Sequence, residues 1–469
     1  MALLKADADT EDRGAQEDVH PGDTPSVPEI SFKRRIVSGS VWTFFGFGVQ
    51  QVLRFGANII LARLLFPEAF GVMAIVNVFL QGLQMFSDVG VIPSIIQNPR
   101  GDQPEFLRTA WVIGILRGAL LSCVALVIAW PVSQFYNEPR LLVFLPVAAL
   151  SASISGFLSS SLFLLNRRLE MGKLIALNIT CQVIGTGTMI VWSLLSPSIW
   201  ALVGGGLVTV LSRMLLSHVV APRPRMRFEF HREMAGEVFH FGKWIFLSSI
   251  LGFLVARVDR LVLGKYLTLA DLGVYSIAAT FSVAAVEAVQ AVTMKVVFPV
   301  YSHYARGAPE RLRRQTVVIR SGLMAVTLPP CWFLIVLGPE LVGFLYDERY
   351  LNAGWMLQVL ASGAVLCAVF TPIEVVLLAM GNSYRHLLML MIRSFWLLVA
   401  MVVGGIVAGP TGLIIGFAVS PALYYPFLAG LVRRYKVWLP LLDFGALLIS
   451  ALAVALGFWL KGLLIPILN

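Results

Sequence analysis

Residues 62–76 read ARLLFPEAFGVMAIV, and residues 264–278 read GKYLTLADLGVYSIA. Aligned without a gap, they place Gly71 over Gly273 at an offset of 202. Two further echoes follow in the same order. QFYNEPRL (134–141) pairs with FLYDERYL (344–351) at an offset of 210, and RRLEMGK (167–173) with MGNSYRH (380–386) at 213. Each echo occupies the same place in its half: after the first apolar run, after the third, and between the fourth and fifth. The chain therefore reads as two copies of one unit.

What is repeated is a set of apolar runs, each long enough to cross a bilayer. About 20 apolar residues span a hydrocarbon core of about 30 Å. Runs fall at 37–60, 70–92, 107–130, 141–164, 171–193, 199–220, 239–262, 272–297, 318–338, 354–379, 386–407, 411–431 and 441–464. In lipid the backbone must satisfy its own hydrogen bonds, so the runs predict helices; they are too long for outer-membrane strands. Six spans per copy is an even number, so both copies start on the same side. They are parallel repeats related by an axis along the membrane normal, an arrangement that encloses a central cavity. The expected fold is an all-α polytopic membrane protein with two six-helix lobes, 33–220 and 239–435. A linker over 221–238 joins them, and an additional C-terminal helix lies within 436–469. In the linker Phe230, Met234 and Phe241 recur at helical spacing after Pro222 and Pro224, which predicts a short interfacial helix.

Charge gives the direction. Lys33, Arg34 and Arg35, Arg167 and Arg168, Arg223 to Arg232, Arg311 to Arg314, and Arg433 and Arg434 all fall on one side; Arg63, Arg140, Lys265 and Arg349 fall on the other. The crowded side is predicted to be cytoplasmic. Of the whole chain 58 % is apolar and only 13 % charged, against roughly 25 % in soluble proteins. Residues 1–30 differ: eight acids oppose Lys5 and Arg13, a net −6 in a chain of net +10. Residues 1–32 are expected to form a disordered cytoplasmic tail, since they lack both an apolar core and the h-region of a signal peptide. The basic balance of the remainder points to anionic lipid, not nucleic acid.

Within the runs, polar residues keep one face. Gln50, Arg54 and Asn58 stack at i, i+4, i+8 in the first span, and Asn77, Gln81, Gln84 and Asp88 line one side of the second. The second copy repeats the pattern with Arg257, Asp259 and Arg260 in span seven and Glu287 and Gln290 in span eight. Arg117 in span three and Arg393 in span eleven are further intramembrane cations. Such groups are costly in lipid and face a watery cavity or pair with each other. Arg54, Arg117, Arg257, Arg393, Gln50 and Asn58 are candidate cavity residues for an anionic headgroup, because the guanidinium fork meets phosphate oxygens in pairs. Asp88, Glu287, Asp259 and Arg260 are candidate ion or salt-bridge partners. No His or Cys cluster has metal-ligand spacing, no GxxxxGK[ST] is present, and no loop is large enough for a catalytic domain, so neither metal, cofactor nor enzyme chemistry is expected.

ARLLFPEAFG (62–71), DRLVLGKYLTLADLGVYSIA (259–278) and LLAMGNSYR (377–385) resemble segments of the bacterial polysaccharide flippases, a family of the multidrug/oligosaccharidyl-lipid/polysaccharide flippase superfamily. The resemblance covers roughly 33–435. It implies a monomeric carrier of undecaprenyl-diphosphate-linked oligosaccharide in exopolysaccharide, capsule or O-antigen synthesis, working beside a polysaccharide polymerase and co-polymerase. It also implies that Arg54, Arg117 and Arg257 would meet the diphosphate. Rival readings are a peptidoglycan lipid II flippase, a multidrug cation antiporter and, from another class, a membrane polysaccharide polymerase or ligase. The antiporter would want an acid-lined cavity, whereas here each copy opens with cations.

Overall fold

In a computed structural model, the described residues are 29–87, 91–168, 170–221, 224–307, 309–435 and 437–468. The acidic tail thus lies outside the described residues up to position 28, and so does Asp88; α1 begins at Glu29, ahead of the expected boundary at 33. Helices follow in the order α1 (Glu29–Leu64), α2 (Pro67–Phe86), α3 (Val91–Gln97), α4 (Pro104–Tyr136), α5 (Leu141–Gly156), α6 (Leu164–Arg167), α7 (Met171–Leu195) and α8 (Ile199–Val220). Then come α9 (Arg232–Tyr266), α10 (Leu269–Val292), α11 (Phe298–Gly307), α12 (Pro309–Leu345), α13 (Ala353–Ala379), α14 (Ser383–Arg433) and α15 (Pro440–Leu468). Among the described residues there are no strands, and nine helices are long and apolar enough by themselves to cross a membrane.

The longest, α14, is two spans. Ala408 and Gly409 leave helical geometry, and Gly409 takes φ +59°, which a side chain would resist. The limbs 383–407 and 410–433 fold back so closely that a Cβ on Gly404 would sit 2.1 Å from the Gly412 carbonyl oxygen. The two runs expected at 386–407 and 411–431 are therefore a hairpin with a two-residue turn.

The expected span 141–164 is broken. Helix α5 stops at Gly156, and the chain turns by 73° into the segment Ser160–Arg167. Ser159 between them is extended, and its N–H donates to Ser217 Oγ at 3.0 Å. The interfacial helix expected in the linker is not a separate element. Residues 225–231 have no regular structure, because side chains of the first lobe hold them: Arg108 pairs with Glu229 at 2.5 Å, and Thr109 Oγ1 accepts from the His231 N–H at 3.1 Å. From Arg232 onward nothing breaks the helix, so Met234 belongs to α9 itself.

In the first lobe α1 packs on α7, α4 on α5 and α7 on α8; in the second, α12 packs on α13 and α13 on α14. Helix α13 is the most enclosed, with buried residues on every side. Leu126, Val127, Val402, Val403, Ile406 and Leu452 are exposed, as expected for a surface that meets lipid tails. The C-terminal helix is firmly attached. Asp443 pairs with Arg320 of α12, both side chains at 0 % exposure, and accepts from Tyr425 at 2.7 Å. Lys461 pairs with Glu340 at 2.5 Å.

The lobes meet where α2 and α10 begin. Both starts are locally specified: Pro67 occupies the first turn of α2 after an extended Phe66, and Thr268 caps α10 by accepting from the Asp271 N–H at 3.1 Å. The aligned glycines lie at the crossing. A Cβ on Gly71 would be 1.9 Å from the Leu269 carbonyl oxygen, and one on Gly273 would be 1.9 Å from that of Pro67. Cations at the ends of α1 and α9 complete the closure, with Arg63 donating to the Leu345 carbonyl at 3.2 Å and Lys265 to that of Phe135.

Candidate functional site

Between the lobes, the polar face of α1 looks at α10. Arg54 Nη2 lies 2.9 Å from Glu287 Oε2, Gln51 Nε2 donates to the same oxygen at 3.4 Å, and Asn58 Nδ2 donates to Thr280 Oγ1 at 3.4 Å. Phe55 stacks on Phe281 with ring centres 4.9 Å apart. This seam is not sealed, since Arg54 and Glu287 keep 41 % and 36 % of their side-chain exposure. It also holds unused capacity: Arg54 Nε and Asn58 Oδ1 are buried without a hydrogen-bond partner.

Two cavities flank the seam. One, of about 510 Å³, belongs mainly to the first lobe. Asn58, Asn77, Gln81, Gln84, Ser276 and Thr280 line it, and Arg260 reaches it from α9. Its polar groups are neutral amides and hydroxyls apart from that one guanidinium, whose Nε has no partner. The other, of about 490 Å³, belongs to the second lobe and is lined by the ionisable side chains of Arg257, Glu287, Glu374 and Arg393 beside His386. The amide faces read from the second span therefore border a real volume.

The remaining candidates divide by partner. Arg257 donates through Nε to Gln81 Oε1, tying α9 to α2, and its charged neighbours are Arg260, Asp259, Glu287 and Arg54. Asp259 is 4 % exposed and accepts from Tyr275 at 2.6 Å while its other oxygen is unpartnered. Arg393 pairs with Glu374 at 2.9 Å, and Tyr424 also donates to that carboxylate. Arg117 is a helix-end cation: Nε donates to Ser87 Oγ at 2.9 Å and Nη2 to the Gln84 carbonyl at 2.5 Å, in the last turn of α2. It lines neither cavity. Gln50 takes part through its backbone carbonyl, which accepts from Gln182 at 3.1 Å.

The sequence reading missed Thr280 and Ser276, because hydroxyls at helical spacing in an apolar run read as packing. It also passed over Arg320, whose place near the start of a span looks like an interfacial cation until its buried partner Asp443 is seen. Among the described residues no three His, Cys, Asp or Glu side chains are grouped to hold a metal ion.

Residues 60–354 match the model of a family described as polysaccharide biosynthesis protein. The chain is 24 % identical over 455 residues to the lipopolysaccharide biosynthesis protein WzxC of Escherichia coli (strain K12), covering 92 % of this chain and 90 % of that one. It is 26 % identical over 326 residues to the succinoglycan biosynthesis transport protein ExoT of Rhizobium meliloti (strain 1021), covering 68 % and 65 %. Among solved structures, the lipid II flippase MurJ in an inward closed conformation superposes with a TM-score of 0.67 at 15 % identity, over 92 % of this chain and 96 % of that one. That likeness supports the two-lobe fold.

Proposed function

The chain belongs to the polysaccharide biosynthesis protein family, and from that premise we propose that it carries undecaprenyl-diphosphate-linked oligosaccharide across the bacterial inner membrane, from the cytoplasmic to the outer leaflet. The observation that supports this reading is the seam itself. Arg54, Arg257 and Arg260 gather at the lobe boundary, two of them with a buried unpartnered donor, next to a cavity lined by amides and hydroxyls. A diphosphate takes charge-assisted bonds from guanidinium groups. Sugar hydroxyls, which both donate and accept, suit Asn and Gln side chains. The isoprenoid tail stays in lipid, and the lobes rock about the seam to expose it to either side. With the basic side cytoplasmic, the contact of α2 with α10 closes the outward end. The lobes 33–220 and 239–435 act as the moving halves of a monomer, which passes its cargo to a polysaccharide polymerase and co-polymerase.

Replacing Arg54 and Arg257 together with Gln removes two charged hydrogen-bond donors, each worth about 1.5–3 kcal/mol, or roughly tenfold to a hundredfold in binding. Export of the surface glycan should fall to background while the protein level is unchanged. Full export by the double variant would refute the site. Deleting the gene should leave the lipid-linked repeat unit on the cytoplasmic leaflet with the cell wall intact. The superposition on MurJ favours lipid II as the second reading, and rapid lysis with stalled lipid II would select it.

A further inference from the structure

Among the described residues three ion pairs lie deep in the helices, and they differ in kind. Arg320–Asp443 is closed to solvent on both sides and reinforced by Tyr425. Arg393–Glu374 keeps 16 % and 10 % exposure and is reinforced by Tyr424. Both join helices of the second lobe or its C-terminal extension, and both are packed as fixed struts. Arg54–Glu287 is the one of the three that joins the two lobes, and it is more than a third exposed. Its contact is a single Nη2–Oε2 bond, which leaves Arg54 Nε without a partner. A half-solvated, single-bonded pair contributes little to stability, yet it neutralises the cation best placed to receive cargo.

We propose that Glu287 is an exchangeable internal counter-ion: it occupies Arg54 in the empty carrier and yields it to the diphosphate of the cargo. The inference rests on the diphosphate reading of the seam. Around Arg257 lie the cations Arg54 and Arg260 and the acids Asp259 and Glu287. Asp259 is committed to Tyr275 and buried, so Glu287 is the acid that can leave. Empty, the pair holds α1 to α10 and lets the lobes reset without cargo. Loaded, a doubly negative diphosphate offers several oxygens to a fork that Glu287 engages at one nitrogen, and the carboxylate swings toward Arg257 and Gln290, which line the same cavity. The device disfavours uncharged lipids, which cannot displace the carboxylate.

The test uses the full-length protein in nanodiscs of neutral lipid, with farnesyl diphosphate as the probe and farnesol as its uncharged counterpart. Two variants separate pairing from charge. Glu287→Gln removes both. Glu287→Asp keeps the charge but is one methylene shorter and withdraws from the 2.9 Å contact. Both should bind farnesyl diphosphate severalfold more tightly than the parent, while glycan export falls because the empty carrier resets slowly. Arg54→Gln should bind at least tenfold more weakly, and adding Glu287→Gln to it should restore nothing. Tighter binding by the Gln variant alone would reduce Glu287 to a general field effect and overturn the exchange. Unchanged or weaker binding by both variants would overturn it as well. If the parent fails to distinguish farnesyl diphosphate from farnesol, the diphosphate reading itself falls, and the exchange with it.

Discussion

Gly71→Ala and Gly273→Ala should each open the end of the molecule where α2 crosses α10. The added Cβ would stand 1.9 Å from a carbonyl oxygen and 2.8 Å from its carbon, at Leu269 in one case and Pro67 in the other. Ordinary contact begins at about 3.5 Å, so the helices must part by roughly 1.5 Å. Neither obstacle can swing aside, because each is backbone in the first turn of a helix. Overpacking of this kind costs about 1–3 kcal/mol. That cost is incurred only while this end is shut, and it corresponds to a shift of roughly 5–150-fold toward any state in which the lobes separate here. Alanine also favours a helix over glycine by about 0.8–1 kcal/mol, so each helix alone should gain. The assay is a pulsed electron-spin distance between labels at Pro139 and Leu351, which are exposed residues of opposite lobes at this end. Cys123, Cys181, Cys331 and Cys367 must first be replaced. A longer distance in both variants, with unfolding temperature held, is the expected result. A lower unfolding temperature with an unchanged distance would refute the argument, because the glycines would then be packing a permanent joint.

Arg320→Leu should lower stability by about 3–5 kcal/mol because it strands Asp443 at zero exposure, and Arg320→Leu with Asp443→Leu should recover most of the loss; thermal unfolding of the purified protein reads both. The loops at the closed end should be indifferent to pH between 5 and 8. Hydrogen bonds from Arg349 hold Asp347 below its ordinary 3.8, and those from Arg140 hold Glu138 below its ordinary 4.5. A depressed carboxylate contributes stability that is complete above the ordinary value and is lost as pH falls through the lower folded value, so the same spin-label distance should change only below about pH 4. A single cysteine at 137 should react with an impermeant thiol reagent added to intact cells, whereas cysteines at 31 and 310 should not; reaction at 310 would invert the proposed orientation.

The helical character was legible because lipid leaves the backbone so few alternatives. The apolar runs had to be helices, and among the described residues helices lie where the runs do, with the run 141–164 broken after Gly156. What composition did not carry was the bend after Gly156, which depends on a serine 58 residues away accepting one N–H. The linker's periodicity misleads for a similar reason. Phe230 and Met234 have helical spacing, but Arg108 and Thr109 hold the stretch that precedes Arg232, so Phe230 stays outside the helix and Met234 alone enters the first turn of α9. At the seam, the one-face spacing picked out side chains that the fold brings together, and it could not say which were already committed. Arg54 and Arg117 look equivalent as lone cations in apolar runs. The first faces an acid across the lobe boundary, and the second closes the last turn of a neighbouring helix in its own lobe.

The closure cations show why a repeat can be evident in a sequence while its working contact is hidden. Arg63 and Lys265 are related by an offset of 202, whereas their acceptors Leu345 and Phe135 are related by 210. Between these points the second lobe is longer: α4 runs over 33 residues and α12 over 37, and a π-helical turn at Thr293–Val297 has no counterpart in α2. A search at constant offset therefore aligns the donors or the acceptors, never both. The acceptors are backbone carbonyls, which any residue supplies, and the donors differ in type. What the two copies share is a relation in space: the cation at the end of each lobe's first helix reaches the last turn of the other lobe's third span, α12 or α4. A contact of that kind constrains helix ends rather than side-chain identities. It can drift in sequence while the joint stays symmetric, whereas at Gly71 and Gly273 the close backbone approach fixes the residue.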